Sequence, residues 1–336
     1  MKLCDATSPH RASPPSPFAQ QGERAGVRGF VRRRWQPHPS SDLLPPSPLA
    51  PRSEKIRVVA STWTLVALAF ALLLAASASA QIHATNEFLH IQRGELPIII
   101  TAPHGGWLAI PGVPRRLGPE GERTSGKFVT GQDTRTFELA TATAKRVEEI
   151  TGKKPFLVAS KAHRQYVDPN RPEQEAVEHP KAAAVHAAFH GQVREFVDEL
   201  RKKFPNGALL LDIHGQAAST DTIYRGTQNG TTVMKMVEKH GAGALTGEAS
   251  ILGYLAAKGI KIEPPNTPPG KPPETKAFGG GYIVRTYGSH TTNGVDAIQL
   301  EFGGSFRTDE KKREETAKFL AEAIKAYTEK YLAVRH

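Results

Sequence analysis

The chain has 336 residues, 39% hydrophobic and 23% charged, with one cysteine and a formal net charge of +11. That length suits one large or two ordinary domains, and a single cysteine excludes a disulfide framework and any zinc site built from several thiolates. The charge invites a nucleic-acid reading, but residues 1–80 hold 10 Lys and Arg against 4 Asp and Glu, which leaves only +5 on the rest. No basic block there is interleaved with aromatics, so no nucleic-acid partner is expected.

Residues 1–54 are rich in Pro, Ser and Arg, as in PPSPF, VRRRWQPHPSS and LLPPSPLAP, and show no apolar period. Such a stretch buries too little surface to offset its ordering entropy and is expected to be disordered. Residues 55–80 read as a secretory signal peptide. KIRVV is its basic region, Trp63 to Ala76 its apolar core, and Ala78 and Ala80 precede a cut after Ala80. The apolar core falls short of the ~20 residues needed to span a bilayer, which favours cleavage over a retained anchor. The polar residues ahead of it point to a translation start downstream of Met1. Cys4 lies in this leader, so the mature chain has no cysteine and is expected in the periplasm or outside the cell.

From Gln81 to His336 the composition is globular, without internal repeats, and the hydrophobic period alternates as in a single α/β domain. Leu96 to Thr101 (LPIIIT) reads as a buried strand ending at PHGG, and Asp133 to Ile150 as a helix. Pro155 to Ala159 (PFLVA) is a second strand that runs into the polar loop KAHRQYVDPNRPEQ. Lys181 to Phe204 is a long amphipathic helix stopped by Pro205 and Asn206-Gly207. Ala208 to Asp212 (ALLLD) is a third strand, Gly247 to Lys258 a helix, and Pro264 to Pro273 a surface loop. Ala297 to Phe302 (AIQLEF) is a strand, and a helix from Asp309 to Leu332, with Asp309 as its N-cap, closes the chain.

Residues suited to chemistry fall just past the strand ends: His104 after LPIIIT, Arg164 and Arg171 after PFLVA, His214 after ALLLD. Open α/β sheets place ligands outside the carboxyl ends of their strands. Two histidines and a carboxylate make a zinc site with an open position for water. Asp133 is the expected third ligand, against the alternative of a helix N-cap, with Asp212 and Glu138 as the next choices. Asp212, two residues before His214, is expected to stand behind its imidazole or to touch the substrate.

Glu301 is a carboxylate inside an apolar strand, and a buried carboxylate without a partner is costly enough to imply a task. That task is general base toward water and then proton donor to a leaving amine. In HRQYVDPNR, Arg164, Asn170 and Arg171 form a plausible clamp for an acidic substrate, the alternative being local ion pairs with Asp168. Arg285, in FGGGYIVRTYG, and Tyr287 are further candidates to line the site. There is no GxSxG elbow and no GKS or GKT phosphate loop. His163, His179, His186 and His240 read as bystanders.

Taken in order, TAPHGG, HRQYVDPNR, AAFHGQV, LLLDIHG, FGGGYI and IQLEF resemble the N-formylglutamate amidohydrolase family, a branch of the zinc-carboxypeptidase-like hydrolases. The resemblance implies a mixed β-sheet flanked by helices, of the zinc-carboxypeptidase or phosphorylase/hydrolase kind. It also implies one zinc per chain and hydrolysis of the amide of an acidic N-acyl amino acid. The family's Tyr-His pair on a helix falls on Phe189 and His190, which places His190 among the substrate contacts. Gln132-Asp133 stands where the family often shows Glu-Asp. The family's namesake reaction belongs to the cytoplasm, whereas the leader points outward, so other N-acyl amino acids or short peptides are the expected substrates. Two rival readings share these residues: an exported metallo-carboxypeptidase or peptidoglycan amidase, and a metal-free binding module for acidic ligands.

Overall fold

Short apolar runs build a seven-stranded sheet from β1 (Leu89–Gln92), β2 (Ile98–Ala102), β3 (Phe156–Ser160), β4 (Leu209–Gly215), β5 (Thr222–Gly226), β6 (Lys261–Glu263) and β7 (Asp296–Phe302). Their order is β1-β3-β2-β4-β7-β5-β6. The computed structural model describes Ala67 and residues 87–119, 128–266 and 273–332, all within the unit Ser61–His336. Apart from Ala67, the expected disordered extension, signal peptide and cleavage site lie outside the described residues, as does most of the expected Pro264–Pro273 loop. Among the described residues no helix is long and apolar enough to cross a membrane.

The sheet is mixed. Neighbouring strands β3, β2, β4 and β7 are parallel, while β1 runs antiparallel to β3 and β5 antiparallel to β7. Side chains alternate between faces along each strand. Ile98, Ile100, Leu157, Leu209, Leu211, Ile298 and Leu300 therefore share one face. They pack there against helices α1 (Thr136–Thr151), α3 (Ile251–Ala257) and α5 (Glu310–Tyr327) through Leu139, Leu252 and Leu320. Ile99, Phe156, Val158, Leu210 and Ala297 face the other side and meet α2 (Pro180–Lys203) and α4 (Tyr282–Tyr287) through Phe189, Phe196 and Ile283. This is the mixed sheet flanked by helices that the resemblance implies.

Several boundaries move. The helix expected from Asp133 begins at Thr136, because Arg135 sits in the left-handed region at φ 66° and breaks the helical path before it. The helix expected from Gly247 begins at Ile251, where the Ser250 hydroxyl accepts from Gly253 N at 2.9 Å. Tyr282–Tyr287, for which the sequence gives no element, coils into α4. Asp309 caps α5 as expected, its Oδ1 accepting from Lys312 N at 2.9 Å. The third strand runs on past Asp212 to Gly215, and this continuation carries Asp212 and His214 on one face.

The register determines what gathers on the α2–α4 face. Thr101, Asp212 and Gln299 lie side by side on β2, β4 and β7. Two residues closer to the carboxyl ends, His214 lies beside Glu301, and Glu301 beside Tyr224. A polar row in a sheet interior needs partners, and the loops after β2 and β3 supply them.

Candidate metal centre

His104 follows β2 in the turn PHGG. The two glycines are required by close approach: a Cβ on Gly105 would lie 2.2 Å from Phe137 N, and one on Gly106 would lie 2.2 Å from Ala162 O. The turn is thereby pressed against the start of α1 and the end of β3, and Asp133 N donates to His104 O at 3.0 Å. Asp133 does not cap a helix. Its Oδ2 accepts from Gly215 N at 3.1 Å and faces the two histidines.

His104, Asp133 and His214 form a buried group whose ligand atoms lie within 4.8 Å of one another, an arrangement able to hold a metal ion. The Nδ1 atoms of His104 and His214 each lie 3.3 Å from Asp133 Oδ2, with the rings edge to face at 4.8 Å between centroids. Each remote nitrogen meets another carboxylate: His104 Nε2 lies 2.6 Å from Asp168 Oδ1, and His214 Nε2 lies 2.9 Å from Asp212 Oδ2. A carboxylate only accepts, so in the neutral rings both Nε2 atoms donate and both Nδ1 lone pairs turn inward. His104 Nδ1 is buried and has no hydrogen-bond partner among the described residues. Two imidazole lone pairs converging on a carboxylate oxygen are the donor set of a cation, and this N,N,O set fits zinc.

The electrostatics agree. Burial opposes a charge on His214, but the charge of Asp212 and hydrogen bonds to Asp133 and Asp212 outweigh it and raise its pKa well above the usual value. Burial would likewise raise Asp133, yet the charges of the adjacent His104 and His214 hold it below the carboxylate range. Asp168 is held low against burial by His104, Arg164 and Arg116. The pocket favours positive charge at its centre.

Asp212 stands behind His214, and its other oxygen accepts from Thr101 Oγ1 at 2.7 Å. Glu138 is outside the group and pairs with Arg135 at 2.6 Å. Glu301 lies beside His214 in register, and Gln299 Nε2 donates to its Oε1 at 2.8 Å. Burial, followed by the charges of Asp133 and Asp212, pushes the Glu301 carboxyl up to about 7, although the histidines oppose the shift. Its second oxygen, Oε2, takes no part in that bond.

The arginine loop is held from within. Arg164 Nε donates to Asp168 Oδ2 at 2.9 Å and its Nη1 lies 3.7 Å from Asp133 Oδ1, so its guanidinium braces two site carboxylates. Asn170 Nδ2 lies 3.3 Å from His214 Nε2, and its Oδ1 accepts from Ile283 N at 2.9 Å. Arg171 is half-exposed, 3.4 Å from Glu175 Oε2. His190 Nε2 donates to Pro169 O at 2.8 Å, which leaves Nδ1, 2.9 Å from the Tyr287 hydroxyl, as an acceptor. Nε2 thus supports the loop and Nδ1 meets α4. Arg285 is exposed, its Nε donating to Gly281 O at 3.2 Å. His186, read as a bystander, is 3.0 Å from Arg171 O through Nε2.

Two contributions escaped the sequence reading. Asp168 was weighed only as an ion-pair partner for the loop arginines, and nothing local shows that it also reaches back to His104. Gln299 fixes Glu301, and its place two residues earlier on the same strand face was the signal available. Arg307, behind the site, donates to Phe302 O at 3.1 Å, to Gln216 O at 3.2 Å and to Thr134 O.

No family model matches the sequence, and no curated protein does. Among solved structures the chain is similar to an N-formylglutamate amidohydrolase from Ralstonia eutropha JMP134, at 17% identity and a TM-score of 0.47, covering 72% of this chain and 98% of that one. It is similar to a gene product from Agrobacterium tumefaciens at 13% identity and a TM-score of 0.48, covering 72% and 95%. A bacteriophage poly-gamma-glutamate hydrolase follows at 16% identity and a TM-score of 0.36, covering 72% and 88%.

Proposed function

We propose that the chain is a zinc-dependent amidohydrolase acting on an acidic N-acyl amino acid or short peptide. The observation that carries this reading is the convergence of His104 Nδ1, His214 Nδ1 and Asp133 Oδ2, with a carboxylate behind each imidazole and Glu301 on the adjacent strand. His104, Asp133 and His214 would hold one zinc ion. Bound zinc supplies a Lewis acid that polarises a carbonyl oxygen and makes water more acidic.

The chain's own residues do the rest. Asp168 and Asp212 fix the tautomer and orientation of the two histidines. Gln299 holds Glu301 through one oxygen and leaves Oε2 to take a proton from the attacking water. As the amide C–N bond breaks, Glu301 returns the proton to the leaving nitrogen, and the products are a carboxylic acid and an amine. Arg171, with Asn170 beside it, would take the substrate carboxylate. Arg164 serves first to keep Asp168 and Asp133 ionised and in place.

The experiment is a panel of N-formyl, N-acetyl and muropeptide substrates given to the zinc-loaded chain and to the Glu301→Gln variant. Turnover of an N-acyl amino acid, lost in the variant, supports the reading; turnover of muropeptides alone would replace it with a cell-wall amidase. An exported location is proposed with it, on the leader sequence alone.

A further inference from the structure

The register that places Glu301 beside His214 places Tyr224 of β5 on its other side, so the three residues form one row across β4, β7 and β5. Directly paired residues point to the same face of a sheet and their side chains reach one another. The inner row, Asp212, Gln299 and Gly226, is roofed over. A Cβ on Gly226 would lie 2.5 Å from Phe278 O and 2.6 Å from Gly280 N, so only glycine admits the segment that crosses there. Further along that segment Gly281 N donates to Gln299 Oε1 at 2.7 Å. The wall 278–281 thus covers the inner row, and Tyr224 stands at its edge. Tyr224 is half-buried, its ring meets Phe278 at 4.5 Å between centroids and 44°, and its hydroxyl makes no hydrogen bond among the described residues.

Two strand spacings separate Tyr224 from His214, roughly 10 Å along the row. A formyl group, one carbon long, does not span that distance. The arginine loop approaches His214 through Asn170, whereas Tyr224 lies beyond Glu301. A substrate with its carboxylate toward Arg171 therefore extends its acyl half over Glu301 to β5. We infer that Tyr224, backed by Phe278, is a specificity residue that contacts the acyl half of the substrate. The site accordingly takes N-acyl amino acids whose acyl group is larger than formyl, with a flat or apolar part. This deepens the amidohydrolase reading and rests on it.

The test uses the zinc-loaded full chain, Tyr224→Ala and Tyr224→Phe, with N-formyl-, N-acetyl- and N-benzoyl-L-glutamate. In the wild type, kcat/KM for the benzoyl compound should exceed that for the formyl compound by about tenfold or more. Tyr224→Ala should cut that ratio about tenfold, mainly through KM, and Tyr224→Phe, which keeps the ring and its packing, should cut it less. An unchanged ratio, or equal losses on all three substrates, overturns the inference. Should the wild type hydrolyse none of them, the amidohydrolase reading fails for these substrates, and calorimetric binding of N-benzoyl-L-glutamate decides the role of Tyr224. Affinity about tenfold weaker in Tyr224→Ala upholds the contact. Equal affinity, or no binding by the wild type, overturns it.

Discussion

His214 and Glu301 are direct neighbours in the parallel register of β4 and β7, both on the α2–α4 face and both buried. A candidate metal ligand and a carboxylate raised to about 7 are therefore set side by side by backbone pairing, not by a mobile loop. Strand pairing gives such a site its precision. If Glu301 is the base, Glu301→Gln should keep zinc at wild-type stoichiometry and lose about 10²- to 10⁴-fold in kcat. Full turnover in a metal-loaded variant would remove Glu301 from the mechanism.

Asp168 and Asp212 meet the Nε2 atoms of the two histidines, on the far side of each ring from the candidate metal position. Asp168→Asn and Asp212→Asn should each weaken zinc binding about 10- to 100-fold while the fold persists. Competition against a chelator of known affinity reads this directly. Equal affinity in both variants and the wild type would show that the imidazoles need no second partner.

His190 provides a pH dependence of stability. Its pKa is lowered to about 4, chiefly by burial and then by His186 and Arg194, while the bond to Pro169 and the charge of Asp212 oppose the shift. Tyr282 and Tyr287 pack against the same ring. Below an unfolded value near 6.5 the unfolded chain gains a proton that the folded chain refuses until about pH 4. This contribution is full above pH 6.5 and falls away as pH drops toward 4. His190→Gln should therefore reduce the loss of stability between pH 7 and pH 5 by on the order of 2 kcal/mol relative to wild type. Urea midpoints at the two pH values measure it, and the comparison cancels the other lowered histidines, His90 and His163. An identical pH dependence in both proteins would contradict a neutral, half-buried His190.

A buried ion pair ties the chain ahead of the wall 278–281 to β5. Arg225 Nε donates to Glu274 Oε1 at 2.9 Å, and Glu274 Oε2 accepts from Thr227 N at 2.8 Å and Asn229 N at 2.9 Å. Glu274→Ala leaves the Arg225 charge buried without its counter-ion and should cost about 3–5 kcal/mol. Chemical denaturation checks the figure. A loss below about 1 kcal/mol would mean that the segment is held by its backbone contacts alone.

The central strands were legible because parallel, doubly covered strands are continuous apolar runs: LPIIIT, PFLVA, ALLLD and AIQLEF all stand in the middle of the sheet. The outer strands β1, β6 and β5 were not. Leu89–Gln92 is four residues long, Lys261–Glu263 three, and Thr222–Gly226 carries Arg225, whose burial depends on Glu274, a partner 49 residues away. His104, His214 and Glu301 could be read because each ends or interrupts an apolar strand. Asp133 was ambiguous beside a helix start, and only Thr134 and the left-handed Arg135 separate it from that helix. The second partner of His104 was hidden because Asp168 reaches it across 64 residues of chain.

Metal content is the most direct test of the central claim. Elemental analysis of the purified Gln81–His336 chain, wild type beside His214→Ala, should give about one zinc per wild-type chain and a large loss in the variant. A wild type that binds no metal even after reconstitution, with His104, Asp133 and His214 intact, would contradict the hydrolase mechanism and favour a metal-free pocket for acidic ligands.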